Sequence, residues 1–266
     1  MNPLVSIITV VYNGEVHIEE SIKSVVAQTY SNIEYIIIDG LSSDGTLDII
    51  KKYESKITQI VSEKDTGIYN AMNKGLGLAN GEIIAILNAD DYYYPETIEL
   101  VVNQFEEDEA AVVYGDLTKL RALNNKEYFK AIQPNISLME QTMPIFHPAT
   151  FVKKKVYDKV GGFNEKYQLS ADYDFIYKTY KAGFQFKYLP KALTVFRIGG
   201  ATATNCKTYE EGYQILKSYQ SPYANKMKGL IGKCKSKNLK RKLAMFFINI
   251  LGLKSWNERR LIKKWK

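Results

Sequence analysis

Cysteine is scarce in this chain of 266 residues, which contains only Cys206 and Cys234. The two cysteines are too far apart in sequence to form a short-range metal motif. So few cysteines also fit a protein of a reducing compartment, because disulfides are rare there. We therefore expect both side chains to be inert thiols.

Long apolar runs and export signals are missing as well. The longest apolar stretch, Leu243 to Leu253, is well short of the roughly 20 residues that a membrane-spanning helix needs. Met1 to Pro3 carry no charged leader, and the apolar stretch after them has the pattern of a strand. We expect a cytoplasmic protein whose C-terminal stretch can lie on a membrane but not cross it.

Acidic residues are almost absent from the end of the chain. From Lys226 onward there are fourteen Lys and Arg and a single acid, Glu258, which gives this tail a net charge of +13. The whole chain carries +7, so the remaining body carries −6. An acidic body argues against a nucleic-acid-binding protein. The basic tail, with Trp256 and Trp265, suits an anionic membrane surface; the alternative is a helix packed on the body with a solvated basic face.

A glycine motif for dinucleotide binding is also absent. Gly75 and Gly77 are followed by Gly81 one residue too late for the usual fingerprint. The first two glycines also lie inside a helix pattern. The glycines therefore give no support to a dinucleotide site.

What the sequence does contain is a regular alternation of strand and helix patterns over its first 115 residues. This alternation predicts a parallel sheet flanked by helices. After residue 116 the order becomes mixed, which predicts an antiparallel extension. The predicted strands are 5–11, 33–39, 57–61, 82–87, 111–115, 150–153 and 186–189, and the predicted helices are 16–28, 47–53, 68–78, 95–105, 154–160 and 172–182.

Polar side chains lie at the ends of three of the predicted strands. Tyr12 and Asn13 follow the first strand, Asp39 is the last residue of the second, and the cluster Asn88 to Asp91 follows the strand at 82–87. The carboxyl ends of parallel strands meet at one edge of an open sheet, where ligands bind. Carboxylate and amide oxygens suit a hard cation and a phosphate, whereas Tyr12 and Asp39 suit stacking on a nucleotide base and hydrogen bonding to it.

Each of these positions also has an ordinary structural explanation. Tyr12-Asn13 and Asp39-Gly40 are typical of turns, and Asp91 could cap the helix that follows it. Asp172 and Asp174 lie in the first turn of a predicted helix, where a carboxylate is commonly a cap. The alternative is that one of the two is a general base directed into the crevice. The pattern alone does not choose between these roles.

Seven segments of the chain, taken in order, carry a further signal. They are Val5–Asn13, Ile38–Gly40 with Ser42–Thr46, Asp65–Gly75, Leu87–Asp91, Phe146–Phe151, Gly161–Phe163 and Ala171–Asp174. Together they resemble the motifs of family 2 glycosyltransferases with the GT-A fold. The resemblance covers about residues 4 to 200 and is closest to the branch that builds bacterial exopolysaccharide, capsule and lipopolysaccharide chains.

The resemblance implies an α/β protein with the GT-A fold, in which a single mixed, mostly parallel sheet is flanked by helices. It implies a catalytic domain at 1–205, with a nucleotide-binding half at 1–115 and an acceptor-binding half at 116–205. Beyond the resemblance, the residue pattern of the remaining segment, 206–266, predicts a basic helical C-terminal extension.

The same resemblance implies an inverting hexosyltransferase. It would move a hexose or N-acetylhexosamine from a UDP-sugar to a hydroxyl of a lipid-linked or growing saccharide in bacterial surface polysaccharide synthesis. Asp172 would be the general base, and Asp90 would hold a divalent metal, Mn²⁺ or Mg²⁺. The enzyme would be peripheral on the inner face of the cytoplasmic membrane, with no nucleic-acid partner.

Further residues are assigned to the substrates by the resemblance. Uracil would lie between Tyr12 and Asp39. The acceptor and the transferred sugar would meet Asp91, His147 and Arg197, although His147 could equally be a structural residue and Arg197 an ordinary surface arginine. The other nucleotide-sugar-binding residues would be Asn13, Asp65, Asn73, Lys74, Asn88, Ala89 and Asp90.

Two positions depart from the family pattern. Asn88 stands where many relatives carry the first Asp of an Asp-x-Asp motif, so we expect weaker metal binding. Ala171 stands where many relatives carry Glu before the catalytic Asp. A noncatalytic nucleotide-sugar-binding scaffold of a polysaccharide assembly complex is therefore an alternative function. A nucleotidyltransferase, which would release pyrophosphate, is another.

Overall fold

The computed structural model describes residues 2–107, 109–123, 126–199 and 206–250. Its strands are β1 (Val5–Val11), β2 (Ile33–Asp39), β3 (Gln59–Ser62), β4 (Ile83–Asn88), β5 (Tyr92–Tyr93), β6 (Val112–Leu123), β7 (Lys126–Ile132), β8 (Thr150–Lys153) and β9 (Phe186–Arg197). Its helices are α1 (Ile18–Val26), α2 (Thr46–Lys51), α3 (Ile68–Leu78), α4 (Thr97–Glu107), α5 (Lys154–Val160), α6 (Ala171–Lys181), α7 (Lys207–Ser218) and α8 (Ala224–Ile250).

In this part of the chain the strands form one sheet in the order β3-β2-β1-β4-β8-β6-β9-β5, with β7 paired to β6. The first four strands in this order are parallel to one another. All seven residues of β1 are buried, because both faces of the sheet are covered. Ile8 faces an apolar cluster with Met72 of α3, whereas Ile7 faces a second cluster with Ile18 of α1.

Glycine at position 75 lets α3 lie close to β1. A Cβ at Gly75 would lie 2.4 Å from Cγ2 of Ile8. Real side chains do not approach so closely in a packed core, so a larger residue would push the helix away from the sheet. The glycine inside the helix pattern therefore has a packing role.

The second half of the sheet contains the predicted antiparallel extension. β8 is antiparallel to both β4 and β6, and β9 is parallel to β6 and antiparallel to β5. The sequence patterns did not predict β5 or β7. β5 has only two residues, and β7 has no buried residue and therefore no apolar run.

A buried polar network joins the amino ends of the parallel strands. The carboxylate of Glu34 accepts hydrogen bonds from the Ser6 hydroxyl and, at 2.8 and 2.7 Å, from the backbone N and side-chain Nδ2 of Asn80. Burial acts to raise the pKa of Glu34, but these hydrogen bonds outweigh it and the pKa is lowered. The network fixes the turn that precedes β4 against β1 and β2.

The C-terminal helices are part of the main core. Ile215 and Leu216 of α7 are fully buried and belong to the same apolar cluster as Ile176 and Tyr177 of α6. Met227 of α8 packs in this cluster as well. At least the first part of the extension is therefore packed on the body of the protein.

The two cysteines are bonded to each other. A disulfide joins Cys206, just before α7, to Cys234 in α8. The expectation of two inert thiols is therefore wrong, and the cysteine argument for a reducing compartment no longer holds. The two cysteines are 28 residues apart in sequence, and this spacing does not predict a disulfide. The bond forms because the packing of α7 and α8 brings the two side chains together.

No helix within the described ranges is long and apolar enough to cross a membrane. The apolar stretch Leu243–Leu253 extends beyond the described residues, and Trp256 and Trp265 lie outside them. The predicted membrane contacts of these residues stay predictions.

Packing of α7 on the body predicts a clear difference between two leucine substitutions. Leu216→Ala should lower the free energy of unfolding by about 2 to 5 kcal/mol, because a fully buried side chain is removed. The matched control is Leu239→Ala in α8, where the side chain is 61% exposed and the change should stay within about 0.5 kcal/mol. Urea denaturation followed by circular dichroism measures both. Equal small losses would contradict the packing of α7 in the core.

Candidate functional site

A cleft of about 950 Å³ opens at the carboxyl ends of the parallel strands. The ends of β1 and β4 form one side of it, and the start of α6 and the strands β6 and β9 contribute the other. Its polar lining residues are Tyr12, Asn13, His17, Tyr69, Asn88, Asp90, Lys119, His147, Gln168 and Asp172. The cleft thus brings together residues from both halves of the sheet, including Ala89.

Tyr12 and Asp39 lie next to each other but differ in exposure. Val11 is paired with Asp39 in the parallel register of β1 and β2, and the Tyr12 ring, 68% exposed, lies beside Gly40. Asp39 is fully buried, and its Oδ2 accepts hydrogen bonds from the Ser62 hydroxyl at 2.6 Å and the Ser42 N–H at 3.1 Å. Tyr12 is therefore free to stack on a ligand, whereas Asp39 already stabilises its own turn.

Asn13 holds two loops of the cleft together. Its Oδ1 accepts a hydrogen bond from the Ser43 N–H at 2.9 Å, and its own N–H donates to the Ser42 hydroxyl at 2.8 Å. Asn13 has a φ of 49°, in the left-handed region that asparagine tolerates better than most residues. The β1–α1 loop is thus fixed to the β2–α2 loop.

Asp65 and Lys74 form an ion pair behind Gly40. Lys74 Nζ lies 2.7 Å from Asp65 Oδ1 and 2.8 Å from Glu63 Oε1, and the hydrogen bonds that Lys74 donates to these two acids raise its pKa. Asp65 Oδ2 lies 3.0 Å from where a Cβ on Gly40 would be. The pair is close to the Tyr12 loop, but it does not line the cleft.

Asn73 has a structural partner instead of a place in the cleft. Its Nδ2 donates to the Phe163 carbonyl at 2.9 Å, and its Oδ1 accepts from the Phe163 N–H at 2.8 Å. Nδ2 also donates to Glu165 at 3.0 Å. The predicted contact of Asn73 with the donor therefore has no support in its surroundings, because both polar atoms of the amide are engaged elsewhere.

Asn88 and Asp90 are placed where the sequence predicted them. Both line the cleft at the end of β4. Oδ1 of Asn88 is buried and has no hydrogen-bond partner among the described residues. Burial raises the pKa of Asp90, against the opposing effects of His17 and Arg197. A buried amide oxygen without a partner beside a carboxylate is an arrangement that a bound cation or a ligand would complete.

Asp91 is turned away from the cleft. It is 1% exposed, and its Oδ1 accepts a hydrogen bond from the Arg197 N–H at 3.1 Å while its Oδ2 accepts one from Asn88 Nδ2 at 3.3 Å. Burial and the neighbouring Asp90 raise its pKa well above the usual range. Asp91 does not line the cleft, and its contact with the sugar stays a prediction. The helix α4 begins at Thr97, too far along the chain for Asp91 to cap it.

The side chain of Arg197 also lies outside the cleft. Phe196 and Ile198 line the cleft, and alternate residues of a strand face opposite sides. The guanidinium pairs with Glu20, and NH1 lies 3.5 Å from Glu127 Oε1. The contact of Arg197 with the sugar or acceptor stays a prediction, and the charge of Arg197 acts on Asp90 and His17.

Asp172 lies in the first turn of α6 and lines the cleft. Its Oδ1 accepts hydrogen bonds from the Tyr69 hydroxyl at 3.0 Å and the Tyr173 N–H at 2.9 Å. Burial, followed by the charge of Asp172, raises the pKa of Tyr69 well above its usual range, so Tyr69 remains a donor. The carboxylate of Asp172 is thereby held in one orientation.

His147 lines the same part of the cleft. Its ring packs edge-on against Phe163, with ring centroids 5.6 Å apart. Burial lowers the pKa of His147, although the charge of Asp172 acts in the opposite direction. We therefore describe His147 as a neutral imidazole at neutral pH.

Three residues in or behind the cleft were not predicted from the sequence. His17 lies near Asp90, and burial lowers its pKa. Lys119 of β6 lines the cleft. Glu211 of α7 accepts hydrogen bonds from the N–H groups of Gln168 at 3.0 Å and Leu169 at 2.8 Å, two residues of the cleft wall. For His17 the sequence did offer a signal, since the chain has only two histidines. Both of them line the cleft.

A divalent metal fits this site with help from a ligand. Asn88 Oδ1 and the Asp90 carboxylate offer hard oxygen ligands of the kind that Mn²⁺ and Mg²⁺ bind. In the described ranges, no group of three or more His, Cys, Asp or Glu side chains is arranged to hold a metal. These two residues would therefore supply only part of a coordination shell for such an ion, and phosphate oxygens and water would supply the rest.

Solved structures with the same fold give an independent comparison. The chain has a TM-score of 0.63 and 22% identity to Staphylococcus aureus TarS in complex with UDP, covering 80% of this chain and 64% of that one. For a mannosyltransferase from Pyrobaculum calidifontis, solved with GDP-Man and Mn²⁺, the TM-score is 0.66 and the identity is 20%. The match covers 87% of this chain and 70% of the mannosyltransferase. Identities this low establish the fold alone, and they confirm the predicted GT-A fold.

Sequence comparisons establish the family. An uncharacterized glycosyltransferase from Rickettsia typhi is 31% identical over 228 residues, which cover 81% of this chain and 70% of the relative. The family model described as Glycosyl transferase family 2 matches residues 6–169. These residues span the Tyr12 loop, the Asn88–Asp90 cluster and the Asn73–Phe163 contact. The chain belongs to glycosyltransferase family 2 and is a glycosyltransferase.

Proposed function

We propose that the protein transfers a hexose or N-acetylhexosamine from a UDP-sugar to a saccharide hydroxyl with inversion at the anomeric carbon. The observation that carries the proposal is the position of Asp172. Its carboxylate is oriented by Tyr69 and faces the same cleft as Asn88 and Asp90. A general base on one side of the cleft and a diphosphate site on the other suit a displacement reaction at an anomeric carbon held between them.

The donor would occupy the side of the cleft formed by β1 and β4. The exposed ring of Tyr12 offers a surface on which uracil can stack, with Asp39 beneath the adjoining turn. Two neighbours of the same fold were solved with UDP and with GDP-Man, so a nucleoside diphosphate fits this architecture. We assign UDP to this chain on the family resemblance of the Tyr12 and Asp39 motifs.

Asp172 would act as the general base. In the part of the chain that the structure describes, hydrogen bonds reach its Oδ1 and none is recorded at Oδ2, which leaves one oxygen for the acceptor. As the acceptor oxygen forms its bond to the anomeric carbon, its proton passes to Asp172, and the bond from that carbon to the UDP oxygen breaks. The hydrogen bonds that Tyr69 and the Tyr173 N–H donate to Oδ1 fix the orientation of the carboxylate for this role.

Asn88 and Asp90 would hold the divalent metal. When bound there, Mn²⁺ or Mg²⁺ offsets the negative charge that develops on the departing diphosphate. His17, which lies near Asp90, would border the same phosphates. Because Asn88 contributes no charge, we expect metal affinity to depend on the donor being present.

The acceptor would be a lipid-linked or growing saccharide of a bacterial surface polysaccharide. Support comes from the basic stretch of α8, where Lys226, Lys228, Lys233, Lys235, Lys237 and Lys240 are present without an acid. Each cation near an anionic leaflet contributes about 1 kcal/mol to binding. The extension would hold the enzyme on the inner face of the membrane, where such acceptors are presented.

The first test removes the base. Asp172→Asn should lower UDP release from the donor by about 10²- to 10⁴-fold, because amides do not accept the proton, while calorimetry shows unchanged affinity for UDP. Asp158→Asn, an exposed acid on α5, is the matched control and should leave UDP release unchanged. Retained transfer in Asp172→Asn would rule out this residue as the base. Donor binding without any turnover in the wild type would instead favour the noncatalytic scaffold.

A second test concerns the metal. Calorimetry should show that Mn²⁺ strengthens binding of UDP to the wild type and that Asp90→Asn reduces this enhancement at least about tenfold, since the charged ligand is lost. Asn88→Asp should increase the enhancement, because a second carboxylate replaces the amide. If UDP binding is the same with Mn²⁺ and with EDTA in all three proteins, the metal assignment is wrong.

A third test concerns the support that α7 gives to the cleft. Glu211→Ala removes the acceptor of two N–H groups at Gln168 and Leu169, and we expect transfer to fall about tenfold or more while UDP affinity stays constant. Glu211→Gln should recover part of the activity, because one oxygen acceptor remains. Glu210→Ala is the control, because Glu210 pairs with Lys235 of α8 at 2.8 Å and not with the cleft wall. Equal losses in the Glu210 and Glu211 variants would contradict a positioning role.

A further inference from the structure

One face of the β6–β7 hairpin carries four cations and no acid. Residues directly opposite each other in an antiparallel pair share a face, and residues two apart along a strand share it as well. The pairs on this face are Leu117 with Ile132, Lys119 with Lys130, Arg121 with Tyr128, and Leu123 with Lys126. We call this surface the basic hairpin face.

The basic hairpin face begins inside the cleft. Leu117 and Lys119 line the cleft, as does Phe196, the β9 residue that pairs with Lys119. Among the cleft-lining residues that the structure describes, Lys119 is the one Lys or Arg. From there the face runs outward along the hairpin to the pair of Leu123 and Lys126. A ligand in the cleft can therefore extend along it.

The charges of Lys119 and Lys130 are not balanced within the described chain. Neither side chain forms an ion pair or a hydrogen bond with the residues that the structure describes, whereas Lys74 pairs with two acids and so does Arg197. Like charges directly opposite each other destabilise a sheet, and half-burial of Lys119 adds a desolvation cost. An anion bound between the two lysines would offset both costs.

We propose that the basic hairpin face binds an acceptor saccharide that carries negative charges at intervals, as phosphodiester or carboxylate groups. The inference rests on the proposed glycosyl transfer, because it takes the cleft beside Asp172 as the place of the acceptor's terminal sugar. From Lys119 to Leu123 the face is about 14 Å long at the usual rise of a strand. Successive anionic groups would then lie over Lys130 and Lys126 while the terminal hydroxyl reaches Asp172.

Binding of defined oligomers tests this proposal. The probes are an oligomer of glycerol phosphate, an oligogalacturonate and neutral maltohexaose, each titrated by calorimetry into the protein saturated with UDP. We expect one of the two anionic oligomers to bind at least tenfold more tightly than maltohexaose, with an affinity that falls as salt is raised. The phosphate and carboxylate probes distinguish the two sources of charge.

The double variant Lys119→Gln/Lys130→Gln should lose this preference, with at least a tenfold loss of affinity for the anionic oligomer. Lys155→Gln/Lys159→Gln on α5 changes the charge equally at exposed positions and should bind like the wild type. Thermal unfolding shows whether the double variant is folded, and its Tm should be unchanged or higher because a like-charged pair is removed.

Several outcomes would overturn the proposal. They are equal affinity for charged and neutral oligomers, wild-type affinity in the double variant, and binding only to vesicles of phosphatidylcholine and phosphatidylglycerol, which would make the hairpin a membrane contact. Titration of UDP alone keeps the two proposals apart. If UDP binds but the oligomer results fail, the inference about the acceptor is wrong; if UDP does not bind to the folded wild type, the proposed function itself fails.

Discussion

The parallel pairing of β1 with β2 and β4 is the constraint on which the site depends. Its register places Val11 beside Asp39 and Val10 beside Asn88, so three loops begin at the same edge of the sheet. The pairing is secured at the opposite edge by the buried carboxylate of Glu34 and along the strands by apolar side chains on both faces. A shift of one residue would exchange the two faces of a strand and separate the residues that form the cleft.

The two sides of the cleft are joined by contacts that are distant in sequence. Asn73 bonds to the backbone of Phe163, and Tyr69 donates to Asp172, so α3 orients both the loop before α6 and the carboxylate at its start. Glu211 fixes the cleft wall from the C-terminal side. Burial keeps Tyr69 protonated and His147 neutral, so that Tyr69 remains a hydrogen-bond donor to Asp172. The extension is therefore connected to the geometry around the proposed base.

Sequence patterns predicted the parallel half well because its strands are buried on both faces and read as apolar runs. They missed β7, whose residues are exposed, and the pairing of Cys206 with Cys234, which depends on helix packing. The side-chain directions of Asp91 and Arg197 were also out of reach, because a motif places a residue near a site without orienting its side chain: Asp91 follows a turn after β4, and Arg197 faces the side of β9 opposite to Phe196. The structural role of Asn73 could not be read from its motif, because its hydrogen-bond partner Phe163 lies 90 residues away. The basic hairpin face was hidden for a similar reason, since it exists only in the register of two strands.

We propose that one cleft holds a UDP-sugar on the β1 and β4 side and presents its anomeric carbon to Asp172. A crystal structure of the protein with UDP and Mn²⁺ would show this arrangement. We expect uracil stacked on Tyr12 beside Asp39, the diphosphate over Asn88 and Asp90, and open space between the diphosphate and Asp172 for a sugar. A nucleotide bound outside the cleft, or a diphosphate that contacts neither Asn88 nor Asp90, would contradict it.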